Sequence, residues 1–397
     1  MTEVMEPQFY EPPTTLAEMD RLRAIAPILR VRFAVGGSGW LVTEHGLARQ
    51  MLTDSRLGRA PLTDGEVPYR ATFPRFLKNT LLFTDDPEHA RLRRIVAKWF
   101  TARRVEALRA RTTQTAHDLI DGMVAAGAPA NLIEWVCDPL PIDVLCNVLG
   151  LDPTMKSTFQ AWSRTLQATG TVTDEELDTA QDEMGAFLMR TIVAKRTDPG
   201  DDLLSSLASA VDKDESLTDE EILPIAMLIL AAGFDNTANT IGAGVYALLG
   251  HPEQRQRLLD DPALIKTTVE EILRHGRVSM GNGLRNTGVP FIALDEIDVA
   301  GVHIAAGEFV VVHRTAANHD GAVFADPEQF DVGREVNPHL GLSHGIHHCL
   351  GAPLARMELQ VAVGAIFERL PGLELAGTPE YLTTTISQPM IHLPVRW

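Results

Sequence analysis

The stretch from Thr218 to Gly250 most limits what this chain can fold into. Thr218 with Glu221 three residues on has the form of a capping box, and Gly250 followed by Pro252 is a helix stop. Together they predict one helix of about 31 residues, roughly 46 Å long. Its Ile222–Phe234 segment, ILPIAMLILAAGF, is apolar on every face and predicts burial on all sides. That run is shorter than the roughly 20 residues a bilayer needs, so it is assigned to a protein core. Pro224 is expected to bend the first turns. Asp235, mid-helix beside Gly233, Asn236 and Thr237, breaks the apolar rule. A buried carboxylate is costly without a partner, so Asp235 is either functional or neutralised from elsewhere.

The rest of the chain supplies the shell such a helix needs. Ile28–Phe33 and Trp40–Thr43 flank a Gly36, Gly37, Gly39 turn and predict a hairpin. From Pro87 to about His275 apolar residues recur at three- and four-residue spacing, broken at Pro139, Pro141, Gly150, Pro199, Gly200, Gly250 and Pro252, which predicts a run of helices. Phe291–His313 is β-branched and alternating, with Gly301 and Gly307 between segments, and predicts a small sheet. A loop-rich stretch and a last helix from about Ala352 follow. With no repeat or long linker, residues 1–397 read as a single domain, mainly α with a minor β portion.

Charge and cysteine usage narrow the partners. A formal net charge of -18 argues against general affinity for nucleic acid or anionic lipid. Cys137, Cys146 and Cys349 are too few and too scattered for a disulfide framework, which suggests a reducing cytoplasm. The start, MTEVMEPQFYEPP, has no positive or apolar region of the kind a signal peptide carries, so neither export nor a membrane is expected.

Leu342–Gly351 (LSHGIHHCLG) precedes an amphipathic helix and puts Cys349 just ahead of a helix N-terminus. Unpaired N–H groups and the positive dipole end favour a thiolate there. Gly345 and Gly351 let a flat cofactor approach the backbone. These are the needs of an axial haem ligand. Zinc is a rival reading, since His344, His347, His348 and Cys349 are all possible ligands, although adjacent His348 and Cys349 converge poorly on one tetrahedral ion. A buried, inert cysteine among surface histidines is the bland one.

The loop resembles the cysteine loop of the cytochrome P450 monooxygenases, Phe-Gly-x-Gly-x-His-x-Cys-x-Gly, with Gly345, His347, Cys349 and Gly351 matching and Leu342 and Ser343 standing where the family has Phe and commonly Gly. Three upstream matches follow the family's order. Glu271-Ile-Leu-Arg274 is its Glu-x-x-Arg, with Arg334 as third partner in a structural trio. Ala232-Gly-Phe-Asp235 is similar to its oxygen-binding groove, and His89-Ala-Arg-Leu-Arg93 to its propionate-binding helix. The resemblance implies a P450 fold with the long helix crossing a haem b. It implies Cys349 as the iron ligand, with His89, Arg93, Arg285 and His347 on the propionates and Gly351 beside the sulfur. Gly233, Asp235, Asn236 and Thr237 would line the oxygen site.

It further implies dioxygen activation with electrons from a ferredoxin and its NAD(P)H-linked reductase. The ferredoxin is expected on the acid-free basic stretch Arg91–Arg104. The family's usual alcohol after the acid is replaced by Asn236, which suggests a substrate that assists proton delivery, in hydroxylation or oxidative coupling. By position the substrate would meet Met227, Leu230, Ala231, Phe234, Ser279, Met280, Asn282 and Pro389; for Met227, Leu230 and Phe234 ordinary core packing is an equal reading. The small, polar Ser279–Gly283 loop suits a compact hydrogen-bonding secondary metabolite such as a cyclic dipeptide, macrolide or terpenoid. A non-oxygenating haem–thiolate sensor is the alternative that Asn236 leaves open.

Overall fold

The computed structural model describes residues 10, 15–33, 37–63, 75–168, 172–209, 217–275, 289–382, 384 and 389–397. The helices in chain order are α1 (Leu16–Ile25), α2 (His45–Met51), α3 (Glu88–Ala97), α4 (Ala102–Ala126), α5 (Pro139–Leu149), α6 (Lys156–Gln167) and α7 (Asp174–Thr197). They continue with α8 (Leu203–Ser209), α9 (Asp219–Gly233), α10 (Asp235–Gly250), α11 (Pro252–Asp260), α12 (Ile265–His275), α13 (Arg314–Asn318) and α14 (Ala352–Arg369). The strands are β1 (Ile28–Arg32), β2 (Ser38–Val42), β3 (Leu57–Gly58), β4 (Ala130–Asn131), β5 (Phe291–Ala293) and β6 (Ile297–Val299). After them come β7 (Val302–Ile304), β8 (Phe309–Val312), β9 (Glu374–Leu375), β10 (Glu380–Tyr381), β11 (Met390–His392) and β12 (Pro394–Arg396).

Two compact units result. The first comprises residues 1–73, 280–329 and 338–348. The expected hairpin is present as β1 and β2, antiparallel from Ile28↔Val42 to Arg32↔Ser38. The expected small sheet is joined to it rather than separate, because β2 also pairs in parallel with β8. The sheet therefore runs β1-β2-β8-β5-β3, and only β6 and β7 stand apart as a ribbon. Period-2 alternation predicts strands but does not say which strands pair, and here a parallel crossover made the choice.

The second unit, residues 74–279, 330–337 and 349–397, holds the helical run. α14 packs on α4 and α10, and α9 packs on α5, α6 and α7. The long helix is where the sequence reading needs correction. It is two helices, α9 and α10, meeting at Phe234, and Pro224 lies inside α9 without ending it. Read together, Asp219–Gly250 is long and apolar enough, by length and composition, to cross a membrane, a test that core helices also pass. In this unit it is a core helix: Ile222, Ile225, Leu230, Ile241, Val245 and Leu248 are buried in one hydrophobic cluster.

The Glu-x-x-Arg trio is a structural fastening. Arg274 Nη2 and Nε donate to the two Glu271 carboxylate oxygens at 2.7 and 2.8 Å, and both side chains are fully buried. Arg334 Nε at 3.1 Å, Asn337 Nδ2 at 3.1 Å and the Asp331 N–H at 3.0 Å complete the acceptor capacity. Burial alone would push the Glu271 carboxyl up, but Arg274, the Asp331 N–H and Arg334 together hold it below its ordinary value. Its contribution to stability is therefore present above the ordinary glutamate range and lost as pH falls through the depressed value. Glu271→Gln leaves Arg274 buried without its anion and should cost about 3–5 kcal/mol, read as the shift of a denaturant midpoint.

Candidate active site

α14 is capped by Gly351, and the Cys349 carbonyl accepts the Ala352 N–H at 3.2 Å, so Cys349 does sit just ahead of a helix N-terminus. Cys137 and Cys146 are buried, and burial pushes the Cys146 thiol up to about 11 and the Cys137 thiol well above its ordinary value. Cys349 is the exposed thiol of the three and the one open to chemistry. In the same unit two guanidinium groups, Arg93 on α3 and Arg356 on α14, lie near enough to Cys349 to feel a charge on its sulfur. Burial holds Arg93 below its ordinary value, with Cys349 opposing. Arg356 is gripped by Glu270 at 2.7 and 2.9 Å.

His89 lies four residues before Arg93 on α3 and is 1% exposed. Burial, reinforced by Arg93 and opposed by Asp86, lowers its ring and keeps it neutral at neutral pH. It is a hydrogen-bonding group rather than a second cation. A side chain on Gly351 would meet open space, so the backbone beside Cys349 is uncovered. A soft sulfur donor, an uncovered backbone and nearby cations fit a flat iron porphyrin with anionic edges. For zinc the fit is poor: among the described residues no three His, Cys, Asp or Glu side chains gather to hold an ion.

In the other unit, His347 ends the short turn Gly345–His347. Gly345 has φ +70°, and a Cβ there would collide with the Leu52 carbonyl, so the glycine is obligatory. Ser343 also has positive φ, +65°, the conformation a glycine would hold without strain. The four expectations at Ser279, Met280, Asn282 and Arg285 lie outside the described residues.

The junction of α9 and α10 is the other functional cluster. Ser163 Oγ on α6 lies 3.1 Å from the Ala231 carbonyl, whose helical partner would be the Asp235 N–H, and 2.8 Å from Asp235 Oδ2. A side chain inserted into the i→i−4 ladder is a known cause of a break. Gln167 Nε2 donates to the same Asp235 oxygen. Burial raises the Asp235 carboxyl while Ser163, Arg164 and Gln167 oppose. Asp138, which accepts Arg164 Nη2 at 3.4 Å, is pushed up to about 6 by burial and by the Asp235 charge, with Arg164 opposing.

Asn236 is exposed and donates its Nδ2 back to the Ala232 carbonyl at 3.0 Å, across the junction. Thr237 is buried, and its hydroxyl donates to the Gly233 carbonyl at 3.3 Å. The Thr237 hydroxyl also shares a hydrogen bond with Glu358 of α14, whose burial pushes its carboxyl well above the ordinary range. Burial thus raises both acids at the junction, Asp235 against several opposing donors and Glu358 against the Thr237 hydroxyl.

Met227, Leu230, Ala231 and Phe234 are 4%, 2%, 8% and 1% exposed and belong to the buried cluster. Pro389 is half-buried next to β11, whose Met390 N–H donates to Asn239 Oδ1 at 3.1 Å. Asp138, Asn239 and Glu358 were not singled out from the sequence. Only Glu358 carried a signal there, as a charge on the apolar run of α14.

The cytochrome P450 sequence profile matches residues 144–372. Mycinamicin IV hydroxylase/epoxidase of Micromonospora griseorubida is 41% identical, over 97% of this chain and 96% of its own. Nocardicin C N-oxygenase of Nocardia uniformis subsp. tsuyamanensis is 39% identical, over 95% and 94%. Among solved structures, the mixed-function P450 MycG superposes with a TM-score of 0.89 at 39% identity, covering 99% of this chain and 100% of that one. Cytochrome P450mel 107F1, described with biaryl coupling reactivity, gives 0.89 at 34%, covering 96% of each.

Glu358→Gln replaces the neutral acid by an isostere. A raised folded-state value means stability is full below the ordinary glutamate range and lost as pH climbs toward that value. The variant should match the parent within about 1 kcal/mol at low pH and lose less as pH rises, measured by thermal unfolding across pH.

Proposed function

The chain belongs to the cytochrome P450 family and is a haem–thiolate monooxygenase acting with redox partners on a small organic substrate; from that premise we propose that Cys349 is the axial ligand of a haem b and that the enzyme tailors a secondary metabolite. The carrying observation is that Cys349 alone of the three thiols is exposed, beside an uncovered Gly351 and under the charge of Arg93 and Arg356. His89, Arg93, Arg285 and His347 are assigned to the propionates. When bound, haem supplies the redox chemistry that activates dioxygen and oxidises the substrate.

The chain's own residues then bind, orient and deliver protons. Gly233, Asp235, Asn236 and Thr237 are assigned to the oxygen side. Asp235, held by Ser163 and Gln167 and raised by burial, is suited to give a proton and take it back. Glu358 holds a proton behind Thr237, whose own hydroxyl proton is committed to the Gly233 carbonyl. Asn236 spends its amide donor on Ala232, which leaves its oxygen as an acceptor. Polar groups of the substrate are proposed to complete delivery where the family commonly has an alcohol.

The oxidising names of the relatives support an oxygenase over a sensor. The macrolide enzymes among them favour a macrolide, with a terpenoid or a cyclic dipeptide as other members of the class. Residues 279–283 and Pro389 are assigned to the pocket. Both units are read as parts of one domain, since the chain passes between them repeatedly. A cytoplasmic setting follows from the cysteine usage. The electron donor is proposed to be an acidic ferredoxin with an NAD(P)H-linked reductase. Arg91 is engaged by Glu88 and Glu221, and Arg104 stacks 3.8 Å over Trp99, so docking is assigned to exposed Arg103 and Arg104 with Arg94 and Lys98.

The reduced carbon monoxide complex should absorb as a thiolate-ligated haem, and Cys349→Ser should lose that band; an imidazole-type spectrum in the parent would end the reading. Asn236→Thr should alter the ratio of peroxide released to product by about two- to tenfold, and unchanged coupling together with unchanged product would remove any role for this residue. Reversal of Arg103 and Arg104 to Glu should raise the KM for ferredoxin by about tenfold at low ionic strength, an effect that shrinks as salt rises.

A further inference from the structure

We propose that Asp138 is a positioning residue for the acid at the helix junction: by holding Arg164, it sets how readily Asp235 gives up its proton. The inference rests on the reading of Asp235 as the acid of the oxygen side. All of its geometry lies within the second unit. Gln160, Ser163, Arg164 and Gln167 stand at i, i+3, i+4 and i+7 on α6 and so form one polar stripe. Two acids from other elements meet that stripe about one turn apart. Ser163 Oγ lies 2.8 Å from Asp235 Oδ2, and Gln167 Nε2 donates to the same oxygen. Gln160 Nε2 at 3.5 Å and Arg164 Nη2 at 3.4 Å instead donate to Asp138 Oδ2.

Asp138 comes to the stripe out of a single π-helical turn, Ile133–Cys137, that runs into α5. Its N–H donates to the Ile133 carbonyl, five residues back, at 2.9 Å. Such turns inside helical runs recur at functional sites. The charged groups that face Asp138 are Arg164 from α6, Asp235 from α10 and Glu134 on the π turn itself. Asp235 in turn feels the charge of Arg164, so one guanidinium serves two carboxyls. At 3.4 Å the grip of Asp138 on Arg164 is longer than the roughly 2.7–2.9 Å of a tight charge-assisted bond, and the Arg164 side chain is 51% exposed, which suits it to be shared. The Asp138 carboxyl is pushed up to about 6, by burial first, with Arg164 opposing. Above that pH Asp138 is ionised, keeps Arg164 and adds a like charge, so Asp235 holds its proton more firmly. Below it Asp138 is neutral, the arginine's charge falls to Asp235 alone, and Asp235 ionises more readily. Ionisation of either acid thus opposes ionisation of the other.

The test titrates holoenzyme and follows the carboxyl C=O stretch in infrared difference spectra, each band being assigned by its loss in Asp235→Asn or Asp138→Asn. In Asp138→Asn the Asp235 midpoint should lie about one pH unit below the parent's. Arg164→Gln should raise it, and Asp138→Glu, which restores the charge, should return it toward the parent. Oxygen uptake driven by NADPH through a plant-type ferredoxin and its reductase should be the same in the parent and Asp138→Asn at about pH 5, and up to about tenfold lower in the variant at about pH 8. A merely structural role would lower uptake at both pH values and leave the midpoint in place. An Asp235 midpoint unmoved in Asp138→Asn, or moved the same way by Arg164→Gln, overturns the inference. Should Asp138→Asn fail to fold, the Arg164→Gln midpoint decides: raised supports the sharing, unmoved overturns it. Parent-like uptake in Asp235→Asn at every pH instead overturns the reading on which the inference stands.

Discussion

A helix that is apolar on every side can be interrupted in a core only where another group takes over the carbonyl that the interruption orphans. In this protein that group is the Ser163 hydroxyl, placed by α6 against the Ala231 carbonyl. Much depends on it. The helix is interrupted at Phe234, and there Asp235 lies within reach of Ser163 and Gln167. The Asn236 amide is then turned back onto Ala232. An unbroken helix would keep the Ala231 carbonyl bonded to the Asp235 N–H and leave the carboxylate without those donors. The same hydroxyl therefore helps both to open the helix and to make an acid tolerable inside it.

Three of the buried carboxyls in the second unit show three physical solutions. Glu271 stays ionised because Arg274, Arg334, Asn337 and a backbone N–H saturate its oxygens, which makes it a fastening and useless as an acid. Glu358 has the Thr237 hydroxyl and no cation to oppose its burial, so neutrality is its cheaper state and it keeps a proton. Asp235 lies between: its burial is partly offset by the neutral donors Ser163 and Gln167 and by the charge of Arg164. Position in the chain does not distinguish them, since all three are acids on helices that face the interior of the unit. The donor set does.

That contrast explains what the sequence could and could not disclose. The hairpin of β1 and β2, the onset of α14 and the pairing of Glu271 with Arg274 were legible because each is local: a glycine turn, a helix start, an i,i+3 spacing. The cysteine loop was legible through glycine and histidine positions that share one short segment. The parallel pairing of β2 with β8 was not, because it joins segments some 270 residues apart, and period-2 alternation carries no partner information. The helix junction was hidden for a related reason. Gly233 and Asp235 mark the place, but the hydroxyl that makes a break affordable is contributed by Ser163, about 70 residues upstream on another helix.

The departures from the family's usual residues follow the same logic of compensation. Ser343 adopts positive φ without being glycine, so the loop before Cys349 carries strain that its neighbours must over-determine; two residues on, Gly345 also has positive φ and lies close against the Leu52 carbonyl. Asn236 gives up a hydroxyl but gains a bond across the helix junction, exchanging a mobile proton donor for a fixed strut. A hydroxyl at that position could rotate between the backbone and an incoming ligand, whereas an amide committed to Ala232 presents only its oxygen. Chemistry at such a junction would favour a ligand that arrives with donors of its own, and selectivity would then reside as much in what the substrate contributes as in the shape of the cavity that receives it.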